Sequence, residues 1–413
     1  GINLIYGKDE EIVFSYFIRP NYRHSSYGTD IEDAVTSEYT VQNGNVDIEI
    51  KRYSVEENNN RWSGEFVFQD VHYFILAMDM EQEEFENILK NLNLNDSEVI
   101  YTSGASESNN LALKGICERY KNYGKHILIS SLEHNSIVSS ATNLQELGFE
   151  VELIPVNKQG FIEVETLKQM IREDTILVSV CSVDSEIGLR QPIEDIGLML
   201  KEYPHCYFHS DASQSIGKVN IDYTNVDLIT ITPHKFYGLN GFGMLIKKKI
   251  IGLKSQINGG KSTTIYRSGT PCLADIIACD KALEIALKKT EERYQYIKSL
   301  NEKIKKHFKI YSDVRINSTD YSIPHTLNFS VKGIKALSIQ EYLEKKQVYV
   351  STKTSCCPIE TPSKLVYALT HDKGISSSSV RISISHLTKE KEIDEFLEIF
   401  DIMMKEFEEN GKI

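Results

Sequence analysis

Three short stretches of this 413-residue chain bring together residue types that can do chemistry. The first is Thr102-Ser103-Gly104-Ala105-Ser106-Glu107-Ser108-Asn109-Asn110, which places glycine and small side chains just ahead of a predicted helix. Such a junction lets a ligand approach the backbone closely, and the unpaired N–H groups and positive end of the helix suit a phosphate. The same residues would also make an ordinary helix start, with Ser106 as N-cap before Glu107. The second stretch, His209-Ser210-Asp211-Ala212-Ser213-Gln214, sets a carboxylate at a predicted strand end, where ligands bind in open α/β sheets. A second helix cap is the alternative there. The third is Thr232-Pro233-His234-Lys235. A partly desolvated lysine has a lowered pKa and can condense with an aldehyde as a Schiff base, whereas a lone surface lysine stays solvated.

The elements that must position these residues alternate in type. Strands are expected at 98–102, 126–130, 150–155, 175–182, 206–209, 226–231 and 243–246, and helices at 107–120, 135–147, 163–173 and 193–203. Short apolar strands alternating with helices predict an α/β fold, a mostly parallel sheet covered on both faces. A helix is also expected over 80–92, ahead of the first of these strands. After about Asp275 come long charged helices and strands near 326–331, 348–351 and 380–385, which read as a smaller α+β domain. Residues 1–70 differ: alternating runs at 46–50 and 65–68, with turns at Asn43-Gly44 and Asn58-Asn59-Asn60, predict a small β-rich segment. The expected organisation is therefore 1–70, a large domain over 71–275 and a small domain over 276–413. Because all three chemical stretches follow strands, they can meet on one sheet edge. A phosphate cradle, a carboxylate and a lysine are the three partners that pyridoxal 5'-phosphate requires.

Composition narrows the classes. The net charge of −13 argues against a nucleic-acid binder and against a general binder of anionic membranes, since both need a basic footprint. No apolar run is long enough for a membrane-spanning helix, and the opening Gly1-Ile2-Asn3-Leu4 lacks the layout of a signal peptide. Seven cysteines with no CxxC pair and no regular spacing predict free thiols in a reducing, cytoplasmic compartment, with no metal site.

The ordered motifs resemble the cysteine desulfurase family, among the class V aminotransferase-like, fold-type I pyridoxal-phosphate enzymes. Besides the three stretches above, the matching pieces are Glu133-His134-Asn135-Ser136, Glu186-Ile187-Gly188, Arg267-Ser268-Gly269-Thr270, Pro324 to Phe329 and Ser351-Thr352-Lys353-Thr354-Ser355-Cys356. They keep the family's order from about residue 79 to about 405, roughly four-fifths of the chain. The resemblance implies that Lys235 is the Schiff-base lysine, that His134 stacks on the pyridine ring, that Asp211 pairs with the pyridine nitrogen and that Gln214 bonds the phenolic oxygen. It implies phosphate contacts from Ser106, Thr232 and His234, and from Thr270 across the interface of a homodimer. Arg381 resembles the arginine that holds the substrate carboxylate; by strand alternation alone it could equally face outward. Cys356 resembles the nucleophile that takes the sulfur of L-cysteine as a persulfide, releases alanine and hands the sulfur to an acceptor protein. A vicinal Cys356–Cys357 disulfide is a rival reading. Cys117, Cys181 and Cys206 are expected to be inert and buried.

Four departures from the family pattern cluster around substrate rather than cofactor. Residues 1–70 carry no Asn-Ala-Ala-Thr-like loop, Ser185 stands where the family has asparagine, 261–265 replaces a Gly-rich stretch, and Lys353 replaces a glycine. A C–S lyase, a selenocysteine lyase, an aminotransferase or a non-catalytic partner-binding homologue on the same fold are the alternatives.

Overall fold

The computed structural model describes the strands within residues 2–77 by their backbone, and residues 88–260, 264–352 and 361–411 more fully. The chain divides into two compact units. The first comprises Gly1–Asn95, Tyr237–Asn240 and Thr270–Glu284. Its six strands are β1 (Ile2–Lys8), β2 (Glu11–Ile18), β3 (Val35–Asn43), β4 (Val46–Val55), β5 (Asn59–Phe68) and β6 (Val71–Ala77). They form an antiparallel sheet in the order β2-β1-β6-β5-β4-β3. Both predicted alternating runs lie in it, within β4 and β5. Asn59 and Asn60, expected in a turn, open β5 instead, and the sheet continues through Ala77. Gly44, Asn58 and most of the helix expected over 80–92 lie outside the described residues, although 88–91 are helical.

The second unit comprises Asp96–Phe236, Gly241–Gly269 and Ile285–Ile413. Strands and helices alternate as β7 (Ser97–Thr102), α1 (Ala105–Tyr120), β8 (His126–Ser130), α2 (Asn135–Glu146), β9 (Glu150–Ile154) and α3 (Val164–Met170). Then come β10 (Thr175–Ser179), α4 (Ile193–Leu200), β11 (Tyr207–Asp211), β12 (Leu228–Ile231), a 3-10 turn over Pro233–Phe236 and β13 (Gly243–Lys248). The sheet order is β7-β13-β12-β11-β10-β8-β9, parallel apart from β13, which runs antiparallel to both neighbours. Burial on both faces explains the unbroken apolar strands: every residue of β8 and β10 is buried. Helix α1 sets Leu111, Leu113, Ile116 and Cys117 in the same core, each buried aliphatic contributing about 1.5–3 kcal/mol. Three central strands are also tied by a polar ladder. His209 Nδ1 bonds Ser179 Oγ at 2.9 Å and Nε2 bonds Thr230 Oγ1 at 3.0 Å.

Beyond α5 (Leu273–Lys288), the chain continues through α6 (Thr290–Phe308), β14 (Val314–Ile316), β15 (Thr326–Val331) and α7 (Ala336–Lys345). It ends with α8 (Lys364–Thr370), α9 (Lys373–Ser377), β16 (Ser379–Ser383) and α10 (Glu390–Glu409). The antiparallel sheet β14-β15-β16 packs on helices around Phe308, Phe329 and Phe400. The strand expected at 348–351 does not form. Gln347 turns the chain at φ 62°, Gln340 Nε2 donates to the carbonyl of Val350, and only Ser351 pairs, with Arg381. Val348 and Val350 pack their side chains against the small core instead. Among the described residues, no helix is long and apolar enough to cross a membrane.

Candidate active site

The carboxyl ends of β7, β11 and β12 open into one cavity of about 360 Å³, a size typical of small-molecule sites. Ser106, His134, Asp211, Gln214, Thr232, His234, Lys235 and Arg381, picked out separately from the sequence, all line it.

At one end lies the start of α1. Its N-cap is Gly104, not Ser106, and no side chain caps it. Ser106 is the second helical residue, so its hydroxyl and the first-turn N–H groups are left for a ligand. Gly104 has φ 152°, and a Cβ on Gly243 of the neighbouring β13 would lie 2.5 Å from it, so glycine is required for this close approach. Glu107 would place a negative charge here. It is instead engaged by Ser103 N and Oγ, both at 2.7 Å, and by Arg267 Nε at 2.9 Å. Burial pushes its pKa up, but Arg267 and Ser103 outweigh that and hold it below the usual range. Thr232 Oγ1 donates to Phe242 O at 3.1 Å and lies 3.0 Å from His234 Nδ1, so it orients the imidazole. Burial, then Lys235 and Lys218, push the pKa of His234 down. Lys235 follows in the 3-10 turn, exposed and on the cavity wall.

Asp211 ends β11, two residues further than the predicted strand, and is buried. Its Oδ1 accepts from Ser213 N at 3.0 Å and its Oδ2 from Asn109 Nδ2 at 2.8 Å. Ser213 Oγ, also on the cavity wall, is buried with no hydrogen-bond partner. Gln214 Oε1 accepts from Lys218 Nζ at 2.7 Å. Lys218 is the donor in this contact, which turns the amide N–H groups of Gln214 the other way. Burial, then Lys235 and Arg381, push Lys218 down to about 7. His134 is the N-cap of α2, its Nδ1 accepting from Ser136 N at 3.2 Å. Beside it Glu133 is buried, accepting from Cys181 N at 2.6 Å; burial, then Asp211, push its pKa up to about 8.

Arg381 faces inward. Its Nη1 donates to Ser185 O at 2.7 Å and its Nε is buried without a partner, while the residue lines the cavity. The turn that carries Ser185 is organised by Asp184, whose carboxylate accepts from the backbone N–H groups of Glu186, Ile187 and Leu189 at 2.6–2.8 Å. Ser185 therefore meets Arg381 through its main chain, which is indifferent to the missing asparagine side chain. Cys117, Cys181 and Cys206 are buried, and burial raises all three thiols, Cys206 to about 12. Thr270 belongs to the first unit and is exposed. Cys356 and Cys357 lie outside the described residues. The sequence reading passed over Asn109, Lys218, Asp184 and the Glu107–Arg267 pair. The only local signal was for Asp184, an acceptor placed just before the Gly188 turn at φ 77°.

The "Aminotransferase class-V" family model matches residues 48–396. A "Cysteine desulfurase IscS" of Dictyoglomus turgidum is 34% identical over 325 residues, covering 78% of this chain and 82% of that protein. The chain belongs to the cysteine desulfurase family of class-V aminotransferases. A "NifS/IcsS protein homolog" of Lactobacillus delbrueckii subsp. bulgaricus is 37% identical over 324 residues, 76% of this chain and 84% of that one. A solved "NIFS-like protein" superposes with a TM-score of 0.72 at 29% identity, over 78% of this chain and 87% of that one. The fold is thus fold-type I, as the sequence predicted. The family match starts inside β4, earlier than the motif resemblance near residue 79.

Proposed function

We propose that this chain is a pyridoxal-phosphate-dependent cysteine desulfurase that converts L-cysteine to L-alanine and passes the sulfur, through a persulfide on Cys356, to an acceptor protein. The observation that carries the reading is Arg381. A guanidinium with a buried, unpartnered Nε, on a residue lining the cavity that holds Lys235 and Asp211, is a carboxylate site beside a Schiff-base lysine. The cavity also fits the cofactor. The uncapped start of α1 offers N–H groups to a phosphate, the orphaned Ser213 hydroxyl sits by Asp211, and the Gln214 amide is turned to donate.

When bound, pyridoxal phosphate supplies an electron sink that acidifies the substrate's Cα–H and prepares its Cβ–S bond for cleavage. Lys235 would hold the cofactor covalently, and its amine, when free, would move protons at the substrate. Asp211 would pair with the pyridine nitrogen and favour its protonated form, and His134 would pack against the ring. Ser106, Thr232 and His234 receive the phosphate, joined by Thr270 of a second copy, so the working form is a homodimer. Arg381 fixes the substrate carboxylate and so aims its side chain. The Cys356 thiolate then bonds to the substrate sulfur as the Cβ–S bond breaks; that bond's electron pair stays with carbon, which is protonated to alanine.

Incubation of the pure protein with L-cysteine and a reductant tests the reading. Alanine and sulfide in equal amounts are expected. Pyruvate and ammonia would instead establish a C–S lyase, and no turnover with no bound cofactor a non-catalytic homologue.

A further inference from the structure

Asp211 and His134 belong to different elements, the end of β11 and the N-cap of α2, yet one buried side chain reaches toward both. Asn109 of α1 donates from Nδ2 to Asp211 Oδ2 at 2.8 Å and to Ser136 Oγ at 2.9 Å. Ser136 Oγ in turn lies 2.9 Å from His134 Nδ1. Asn109 is fully buried, and its own Oδ1 has no hydrogen-bond partner. Leaving a buried carbonyl unpaired is costly, and turning the amide over would set that oxygen against a carboxylate. The orientation therefore serves the two N–H bonds.

We propose that Asn109 is a positioning residue that registers the Asp211 carboxylate against the His134 imidazole, through Ser136, so that the two groups contacting the cofactor ring are set by one amide. The proposal rests on the pyridoxal-phosphate reading above. With Ser213 N on Oδ1 and Asn109 on Oδ2, the carboxylate plane of Asp211 is held from both sides. Ser136 is fixed in the same way: its backbone N–H points at His134 Nδ1, and its hydroxyl bridges that nitrogen and Asn109. Nδ1 is thereby held as an acceptor from the Ser136 backbone. Residues 109, 136 and 211 are far apart in sequence, so the link comes from α1 packing across the sheet.

The test uses the full chain with Asn109→Leu, which keeps the volume and removes both donors, and Ser136→Ala. The ring nitrogens of His134 are followed in protein labelled with 15N-histidine, which needs no cofactor. The dissociation constant of pyridoxal phosphate and the pH at which its bound absorbance band changes are measured beside them. Asn109→Leu is expected to move the His134 signals, weaken cofactor binding roughly tenfold and shift the absorbance midpoint by roughly half a pH unit or more. Ser136→Ala is expected to move the His134 signals alone, and adding Asn109→Leu to it should move them no further. A folded Asn109→Leu variant with wild-type His134 signals and wild-type cofactor affinity overturns the proposal. If that variant does not fold, unchanged His134 signals in Ser136→Ala overturn it equally. A wild type that takes up no pyridoxal phosphate would refute the functional reading instead, and the histidine signals would still decide whether Asn109 reaches His134.

Discussion

The main chains of Ser351 and Arg381 hold each other by two hydrogen bonds, Arg381 N donating to Ser351 O at 2.6 Å and Ser351 N to Arg381 O at 3.1 Å. The stretch that leads to Cys356 therefore starts on the backbone of the residue whose guanidinium faces the cavity. Beyond that stretch, Ser363 Oγ donates to Glu186 Oε2 at 2.5 Å, one residue past the Ser185 carbonyl that holds Arg381 Nη1. The turn organised by Asp184 thus anchors both the proposed substrate arginine and the chain that resumes after the cysteine.

Arg381→Lys should lose substrate binding while keeping the cofactor. An ammonium cannot bond Ser185 O and grip a carboxylate with a planar fork at once. One lost charged hydrogen bond is worth about 1.5–3 kcal/mol, so the KM for L-cysteine should rise roughly 10- to 100-fold with a smaller change in kcat. Steady-state kinetics on alanine release read this split; an unchanged KM would place the substrate carboxylate elsewhere.

Acid should unfold the second unit through its buried histidines. Burial, opposed by Asp211, lowers His209 to about 4, and burial, then Lys218 and His386, lowers His325 to about 3. Both lie below the ordinary 6.5, so the unfolded chain binds protons more readily than the folded one. Their contribution to stability is fully present above about pH 6.5 and is lost as the pH falls toward 4 and then 3. The urea midpoint should fall across that window, and His325→Leu, which removes one titrating ring, should make the fall shallower. A midpoint as steep in the variant as in the wild type would show that His325 is not neutral in the folded chain.

Lys218→Met should raise stability and impair the site. Its folded-state pKa, lowered to about 7 from 10.5, means that folding favours the neutral amine. Its contribution is therefore most favourable above 10.5 and is lost as pH falls to about 7, where methionine carries no such penalty. Without the Lys218 donor, however, the Gln214 amide is free to turn over. The expected pair of results at neutral pH is a higher Tm and a displaced absorbance band of bound pyridoxal phosphate. A higher Tm with an unmoved band would mean that Lys218 does not orient Gln214.

The residues that could be read from the sequence are those at strand ends, because the carboxyl edge of an α/β sheet is a place that pattern alone can locate. Ser106, Asp211, Thr232 and Lys235 each follow or end a short apolar strand, and the sheet brings them to one cavity. What could not be read are side chains whose partners are distant: Asn109 meets Asp211 across 102 residues, and neither α1 nor β11 alone calls for the pairing. The reversed direction of β13 was within reach. Only residues 232–242 separate β12 from β13, too few for a helical crossover, so the chain must double back. Ser106 misled because serine before glutamate is a good cap; the helix starts two residues earlier, with Gly104, in close contact with Gly243, as its N-cap. At 348–351 the valine alternation was real, but it packs side chains rather than pairing a strand.

Cys356, rather than Cys357, should carry the sulfur. The assignment comes from its place after Ser351-Thr352-Lys353-Thr354-Ser355, which resembles the family's nucleophile stretch. The described cysteines around the site offer no competitor: Cys181 borders the cavity, but burial, then Glu133 and Asp184, push its thiol far above the range in which a thiolate exists at neutral pH. Adjacent side chains leave a backbone in different directions, so one of the pair can be aligned with the substrate sulfur. Correct alignment can remove ~7–11 kcal/mol of a barrier. Cys356→Ala should abolish persulfide formation and sulfide release while cofactor and L-cysteine still bind, seen as the spectral change on adding substrate. Cys357→Ala should keep part of the activity. Mass spectrometry of the cysteine-treated protein should find one added sulfur, and fragmentation should place it on Cys356. An adduct on Cys357 would reassign the nucleophile. Alanine released at the wild-type rate by Cys356→Ala would show that no protein thiol takes part, and a lyase-type release of sulfur would then replace the persulfide route.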